Sequence, residues 1–262
     1  MPDSSKPRPD SISALGYGEQ TEGSGGLRRY REVVAGADAG WGRFLLQELL
    51  VTLLSPIPGL LGLGLRRALY PVLFDRFGSG TTLGTDVNLR QPGRVFLGRG
   101  VMIDDGCQLS ARGGDGTAIW LMDKVFIGRH SVLTTRRGTI HVGERTSVSA
   151  SCRIASTSEV RIGRVAQIAA FTYIGGGQHR IDRTDIPIVE QGFESRGGVK
   201  IGDDVWIGAG VVVHDGVQIG NGAVIGAGSV VTGDIPAFAV ALGVPARVVR
   251  DRRGPGPPNP TV

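Results

Sequence analysis

The sequence predicts a mainly β protein built as a triangular prism of about seven stacked coils, and three observations carry that expectation. Aliphatic residues recur at every sixth position through Ile201, Ile207, Val213, Ile219, Ile225 and Val231, and the same step links Ile162–Ile168–Ile174, Val142–Val148–Ile154, Leu121–Ile127–Leu133, Leu97–Ile103–Leu109 and Phe77–Leu83–Leu89. Two residues before such positions stand small or β-branched residues, among them Val101, Cys107, Val125, Ser131, Thr146, Cys152, Ala166, Thr172, Val205 and Ser229. Gly supplies 43 of 262 residues while aromatics make up only 6%, which argues against a globule cored by Phe, Tyr and Trp.

A six-residue unit with a turn gives one short strand, and three units close a triangle. Residues two apart on a strand share a face, so both periodic sets point inward. Gly follows the aliphatic in LGTD, LGRG, IGRH, VGER, IGRV, IGDD, IGAG and IGNG, where a sharp turn is expected to use its conformational freedom. One coil cannot bury its own apolar face, so stability must arise from stacking.

The period breaks only after the third unit of a triplet: two extra residues follow Leu89, six follow Leu109, three follow Leu133, two follow Ile154 and twenty-one follow Ile174. All are expected to leave one corner of the prism. The largest, residues 175–200, is long enough to read as a functional loop. Cys107 and Cys152 fall on equivalent inward positions two coils apart, roughly 9.6 Å by strand spacing. That is too far for a disulfide, so both read as core filling.

The flanks differ in character. Residues 1–26, rich in Ser, Gly, Pro and Asp, read as a disordered tail. From Leu27 a short helix is expected, followed by two apolar helices bent at SPIP within 41–76, flanked by Arg43, Arg66 and Arg67. This segment suits a membrane interface or a cap on the open end of the prism. The prism proper is placed at 77–235, a C-terminal extension at 236–254 leaves it, and 255–262 is a flexible tail.

The net charge of +5 sits at the two ends. The prism shows no basic stripe with stacking aromatics, so nucleic acid is not an expected partner. Residues 1–10 lack the apolar core of a signal peptide, and two cysteines make no secreted framework. A cytoplasmic protein, peripheral on the inner membrane face, is the expectation.

Stacked units of this kind, and above all the run from Val199 to Arg250, resemble the hexapeptide-repeat acyltransferases, sugar O-acetyltransferase branch. The resemblance implies a left-handed parallel β-helix, a homotrimer with active sites between prisms, and acetyl-CoA as donor. It places the catalytic His in the long loop, where His179 is the sole histidine; the usual following Pro is Arg180 here. Trp206, Ala209, Ala227, Ser229 and Arg247 match positions that meet the donor, Arg247 near its phosphates. Ser149 stands where some relatives carry an acceptor-facing Asn. Asp182, Asp185 or Glu190 could orient the imidazole or meet the acceptor.

Acyl transfer from a thioester to a hydroxyl needs a base near neutral pKa and donors aimed at the developing oxyanion. His179 on a protruding loop suits the first role. His130, His141 and His214 read as solvated turn residues, and no metal site is expected because a zinc site commonly takes two His from one element and no H-x-x-x-x-H spacing occurs. The function read here is acetylation of a hydroxyl on a sugar, polysaccharide or glycoconjugate precursor. An amino-sugar N-acetyltransferase and a non-catalytic β-helix scaffold are the alternatives.

Overall fold

The computed structural model describes residues 26–254; the tails expected over 1–26 and 255–262 lie outside them except for Gly26, which opens the first helix. Three parallel sheets form a triangular prism. The first face stacks Arg76–Phe77, Val95–Leu97, Ala118–Leu121, Thr139–Val142, Glu159–Ile162, Val199–Ile201 and Gln218–Ile219. The second runs from Thr82–Leu83 to Val224–Ile225, and the third from Asn88–Arg90 to Val230–Val231. Seven coils result, as the period requires.

Register confirms the inward columns. Ile140 pairs with Val160 and Val142 with Ile162 on the first face, and Ile154 pairs with Ile174 on the third. These side chains are all buried. Hydroxyls among the small inward residues close onto turn carbonyls: Thr146 Oγ1 donates to Gly163 O at 2.7 Å and Ser131 Oγ to Ser149 O at 3.0 Å. A buried hydroxyl so satisfied costs little. Cys107 and Cys152 are buried free thiols in this column, Cys107 Sγ lying 3.2 Å from Gly128 O. Every extra segment leaves the corner between the third and first faces.

The glycines have a different cause from the one expected. Gly163 does not adopt the left-handed region; Val165 does, at φ 59°, as do His130 and Arg145 at 58° in equivalent turns. What excludes a side chain at Gly163 is the next coil, since a Cβ would lie 2.5 Å from Gly202 C and O. Close stacking, not turn geometry, selects Gly there.

Three helices, α1 (Gly26–Ala35), α2 (Trp41–Leu54) and α3 (Gly59–Leu69), cover the first coil. Leu54, Tyr70, Leu73 and Phe74 pack onto Leu83, Val87 and Leu89 in one core. Arg66, one of the arginines flanking the apolar helices, is only 2% exposed. Its guanidinium donates to Leu83 O at 2.9 Å and to Leu54 O and Ile57 O at 2.8 Å, tying the helical bend to the prism. The segment therefore caps the open end. No helix among the described residues is long and apolar enough to cross a membrane.

At the other end the chain stays in the stack longer than its broken period suggests. Ile235 bridges to Ile219, Ala239–Leu242 joins the second face beside Val224–Ile225, and Arg247–Asp251 folds back antiparallel to it. Ala241 substitutes for the missing large aliphatic.

Candidate functional site

The long loop leaves the third face at Tyr173–Gly175 and returns at Val199–Ile201. It is ordered by its own residues. Gln178 pairs with Glu194 and His179 with Phe193 in a two-residue antiparallel hairpin. At the tip, Gln191 receives Arg183 N–H at 3.0 Å and donates to Arg183 O at 2.7 Å. At the base, Asp215 accepts from Arg196 N–H, and from Gly198 N–H at 2.9 Å.

His179 is half-buried with its ring centroid 4.0 Å from that of Phe193. Its Nδ1 is buried without a hydrogen-bond partner among the described residues. The carboxylates expected to orient it are engaged elsewhere. Asp182 pairs with Arg180 at 2.8 Å and Asp185 with Arg183, and each guanidinium lowers the pKa of its partner. Neither carboxylate, nor Glu190, bonds His179. Phe193 and Asp215 are the residues sequence reasoning missed. Asp215 had a signal, because Asp105, Asp123 and Asp203 occupy comparable turns and accept backbone N–H groups from the preceding coil at 2.7–2.8 Å.

The other predicted residues gather on a different edge. Trp206 faces outward on the second face, 49% exposed. Ala209 and Ala227 lie exposed in the turns after Ile207 and Ile225, at the corner between second and third faces. Ser149 occupies the same corner, half-buried, with its carbonyl accepting from Ser131. Arg247 is exposed opposite Leu242 and without an ion-pair partner among the described residues. Ser229 is fully buried, donating to Gly226 O at 2.6 Å and accepting from Gly243 N–H at 3.1 Å. Its side chain anchors the C-terminal extension rather than facing that edge.

Within one chain, His179 and the edge bearing Trp206, Ala209 and Arg247 are thus separated by the whole third face, roughly 15–20 Å by strand rise. Of the remaining histidines, His130 and His214 are exposed in turns. His141 is not a turn residue: it lies in Thr139–Val142 with its ring 6.1 Å from Trp120, which stacks on Phe96. Burial foremost, then Arg161, lowers its pKa. No group of three His, Cys, Asp or Glu among the described residues could hold a metal ion.

Comparison with known proteins bears on the repeat region first. Residues 198–233 match the family model described as bacterial transferase hexapeptide (six repeats). A probable acetyltransferase of Mycobacterium tuberculosis is 34% identical over 161 residues, 62% of this chain and 51% of that protein. WbbJ of Escherichia coli, named for lipopolysaccharide biosynthesis O-acetyl transfer, is 38% identical over 121 residues, 44% of this chain and 61% of its own. The chain therefore spans less than two thirds of either relative. Among solved structures, the polysialic acid O-acetyltransferase OatWY aligns with a TM-score of 0.53 at 20% identity, over 72% of this chain and 89% of that one. A mutant of the Bacillus cereus N-acyltransferase AntD, in complex with a dTDP-amino sugar and coenzyme A, gives 0.50 at 21% identity, over 72% and 89%. These two establish the shared fold.

Proposed function

We propose that this chain, whose residues 198–233 match the hexapeptide transferase family, transfers an acetyl group from acetyl-CoA to a hydroxyl of a sugar or glycan precursor. The observation that carries the reading is His179, the sole histidine of a projecting hairpin, held by Phe193 and clamped to the prism through Asp215. Its Nε2 takes the proton from the acceptor hydroxyl as that oxygen attacks the thioester carbonyl. The imidazolium then returns the proton to the departing thiolate, so no acyl-enzyme is formed. Trp206, the small turn residues Ala209 and Ala227, and Arg247 offer an open edge for the donor, with a guanidinium suited to phosphate oxygens.

His179 and that edge are too far apart to work together in one copy. The reading therefore places the reaction between copies, in a homotrimer where the hairpin of one prism faces the donor edge of the next. The relative named for O-acetyl transfer supports a hydroxyl acceptor. The exposed leucines of α2 and α3 support a peripheral position on a membrane surface.

Acetyl-CoA consumption over a panel of neutral and amino sugars, wild type against His179→Ala, tests the reading. A general base contributes roughly 10²–10⁴-fold, and a loss of that size with CoA binding kept is expected. An unchanged rate would remove His179 from the mechanism, amide products would move the acceptor to an amine, and absence of CoA binding would favour a scaffold.

A further inference from the structure

The corner that carries the His179 hairpin also carries, nearer the helical cap, a cleft that the transfer chemistry leaves unused. It encloses about 440 Å³ between α1 and the first two coils, with Arg29 and Tyr30 on one side and Asn88, Arg90, Gln108 and Arg112 on the other. Two facts set it apart from an ordinary basic surface. Among the described residues no carboxylate pairs with Arg29, Arg90 or Arg112, whereas Arg28 and Arg31 beside them both pair with Glu32. The Nε of Arg112, a buried polar atom of the lining, also lacks a hydrogen-bond partner among the described residues.

Like charges crowd this place. Burial, then Arg136 and Arg90, lowers the pKa of Arg112. Arg90 lies 5.8 Å over the Tyr30 ring, and the Tyr30 hydroxyl is turned away to Glu48 at 3.1 Å. Amides of Asn88 and Gln108, adjacent in register, add neutral donors. Three guanidinium groups and two amides around one cleft suit a group with several anionic oxygens; a neutral sugar would leave the charges unmatched.

We propose that this cleft binds the phosphate or diphosphate of a glycosyl carrier, so that the acceptor sugar reaches His179 along the same edge. The inference rests on the reading of His179 as the transfer base. Four ladder steps separate Asn88–Arg90 from Tyr173–Gly175, about 19 Å at ordinary strand spacing, a span that a short saccharide attached to the anchored phosphate can cover. A nucleoside diphosphate and a lipid diphosphate share the chemistry recognised here.

Calorimetric titration of the full chain with inorganic pyrophosphate tests the site without turnover. Wild type is expected to bind, and Arg90→Gln/Arg112→Gln to lose affinity by about tenfold or more, the scale of one charge-assisted bond. Asn88→Asp, at an exposed position, places a carboxylate against the anion and should weaken binding similarly while leaving the fold intact. Absence of binding, or binding lost in Arg247→Gln but kept in the cleft variants, would overturn the proposal, the latter because the donor edge would then be the site. Displacement by a nucleoside diphosphate or by a polyprenyl diphosphate in micelles supports it and names the carrier; displacement by neither overturns the carrier assignment. Since pyrophosphate is read by binding alone, its failure leaves His179 standing, and failure of His179→Ala to slow transfer leaves the cleft standing.

Discussion

His179 and Phe193 face each other across a two-residue hairpin, their ring centroids 4.0 Å apart and the planes inclined by 43°. With Nδ1 unpartnered and no carboxylate in contact, this ring packing is what fixes the imidazole. An aromatic pair contributes about 0.5–1.5 kcal/mol beyond its buried area. Phe193→Ala should therefore lower kcat by up to about tenfold and leave KM for acetyl-CoA unchanged, with Phe193→Tyr restoring the rate. Equal losses in kcat and CoA affinity would mean that the whole loop had collapsed, and that Phe193 has no positioning role of its own.

Arg66 is a buried cation that ties the helical bend to the prism. Its guanidinium serves carbonyls on both sides of the bend and on the first coil. Removing it leaves buried acceptors unpaired, at about 1–3 kcal/mol each. Arg66→Met, which keeps much of the volume, is expected to lower stability by about 3 kcal/mol or more in urea unfolding. Arg67→Met, exposed one residue away, should change it by less than about 0.5 kcal/mol.

The prism was legible because its physics is one-dimensional: each buried column, such as Leu109–Leu133–Ile154–Ile174, repeats one local requirement. The corner of the insertions followed from the same counting, and the bend at SPIP from Pro56 and Pro58. The role of Arg66 was not legible, because only the tertiary arrangement brings the carbonyls of Leu54, Ile57 and Leu83 around its guanidinium. The glycine positions were read correctly and explained wrongly, since contact between Gly163 and Gly202 has no signature distinct from turn freedom. At the site, spacing isolated His179. The pairing of Asp182 and Asp185 with arginines two residues earlier is a local competition that sequence alone leaves undecided.

Cys107 offers a test of the core by pH. Burial pushes its thiol from 9.0 up to about 11, the main cause being loss of solvation for the thiolate, and Cys152 moves in the same direction. At about pH 8 neither thiol should react with an alkylating reagent until the chain is unfolded. The unfolded chain gives up these protons first, so the stabilisation is complete below about pH 9 and is lost as pH rises through about 11. Urea midpoints should fall across that window, and the fall should be smaller in Cys107→Val. A midpoint flat from pH 8 to 11 would contradict the burial.

The helical cap leaves its outer surface apolar. Leu45, Leu49 and Leu53 line one stripe of α2, and Leu60 and Leu61 begin α3, all between 56% and 87% exposed. Of the nearby charges, Arg43 is drawn to Asp75 at 3.5 Å, while Arg67 and Arg76 have no ion-pair partner among the described residues. On the proposed attachment to an anionic lipid surface, the leucines would enter the acyl boundary and the unpaired guanidinium groups would meet headgroups. Burying each leucine is worth about 1.5–3 kcal/mol, so Leu45→Ser/Leu49→Ser/Leu53→Ser should cut partitioning to vesicles by more than about a hundredfold. Flotation of the full chain with vesicles rich in phosphatidylglycerol measures this directly. Binding should weaken with salt for the wild type, because the arginine contribution is screened. If the triple variant floats as well as wild type, the leucine stripe is not the attachment surface. Should it instead change the oligomeric state while wild type ignores vesicles, the stripe is a contact between copies.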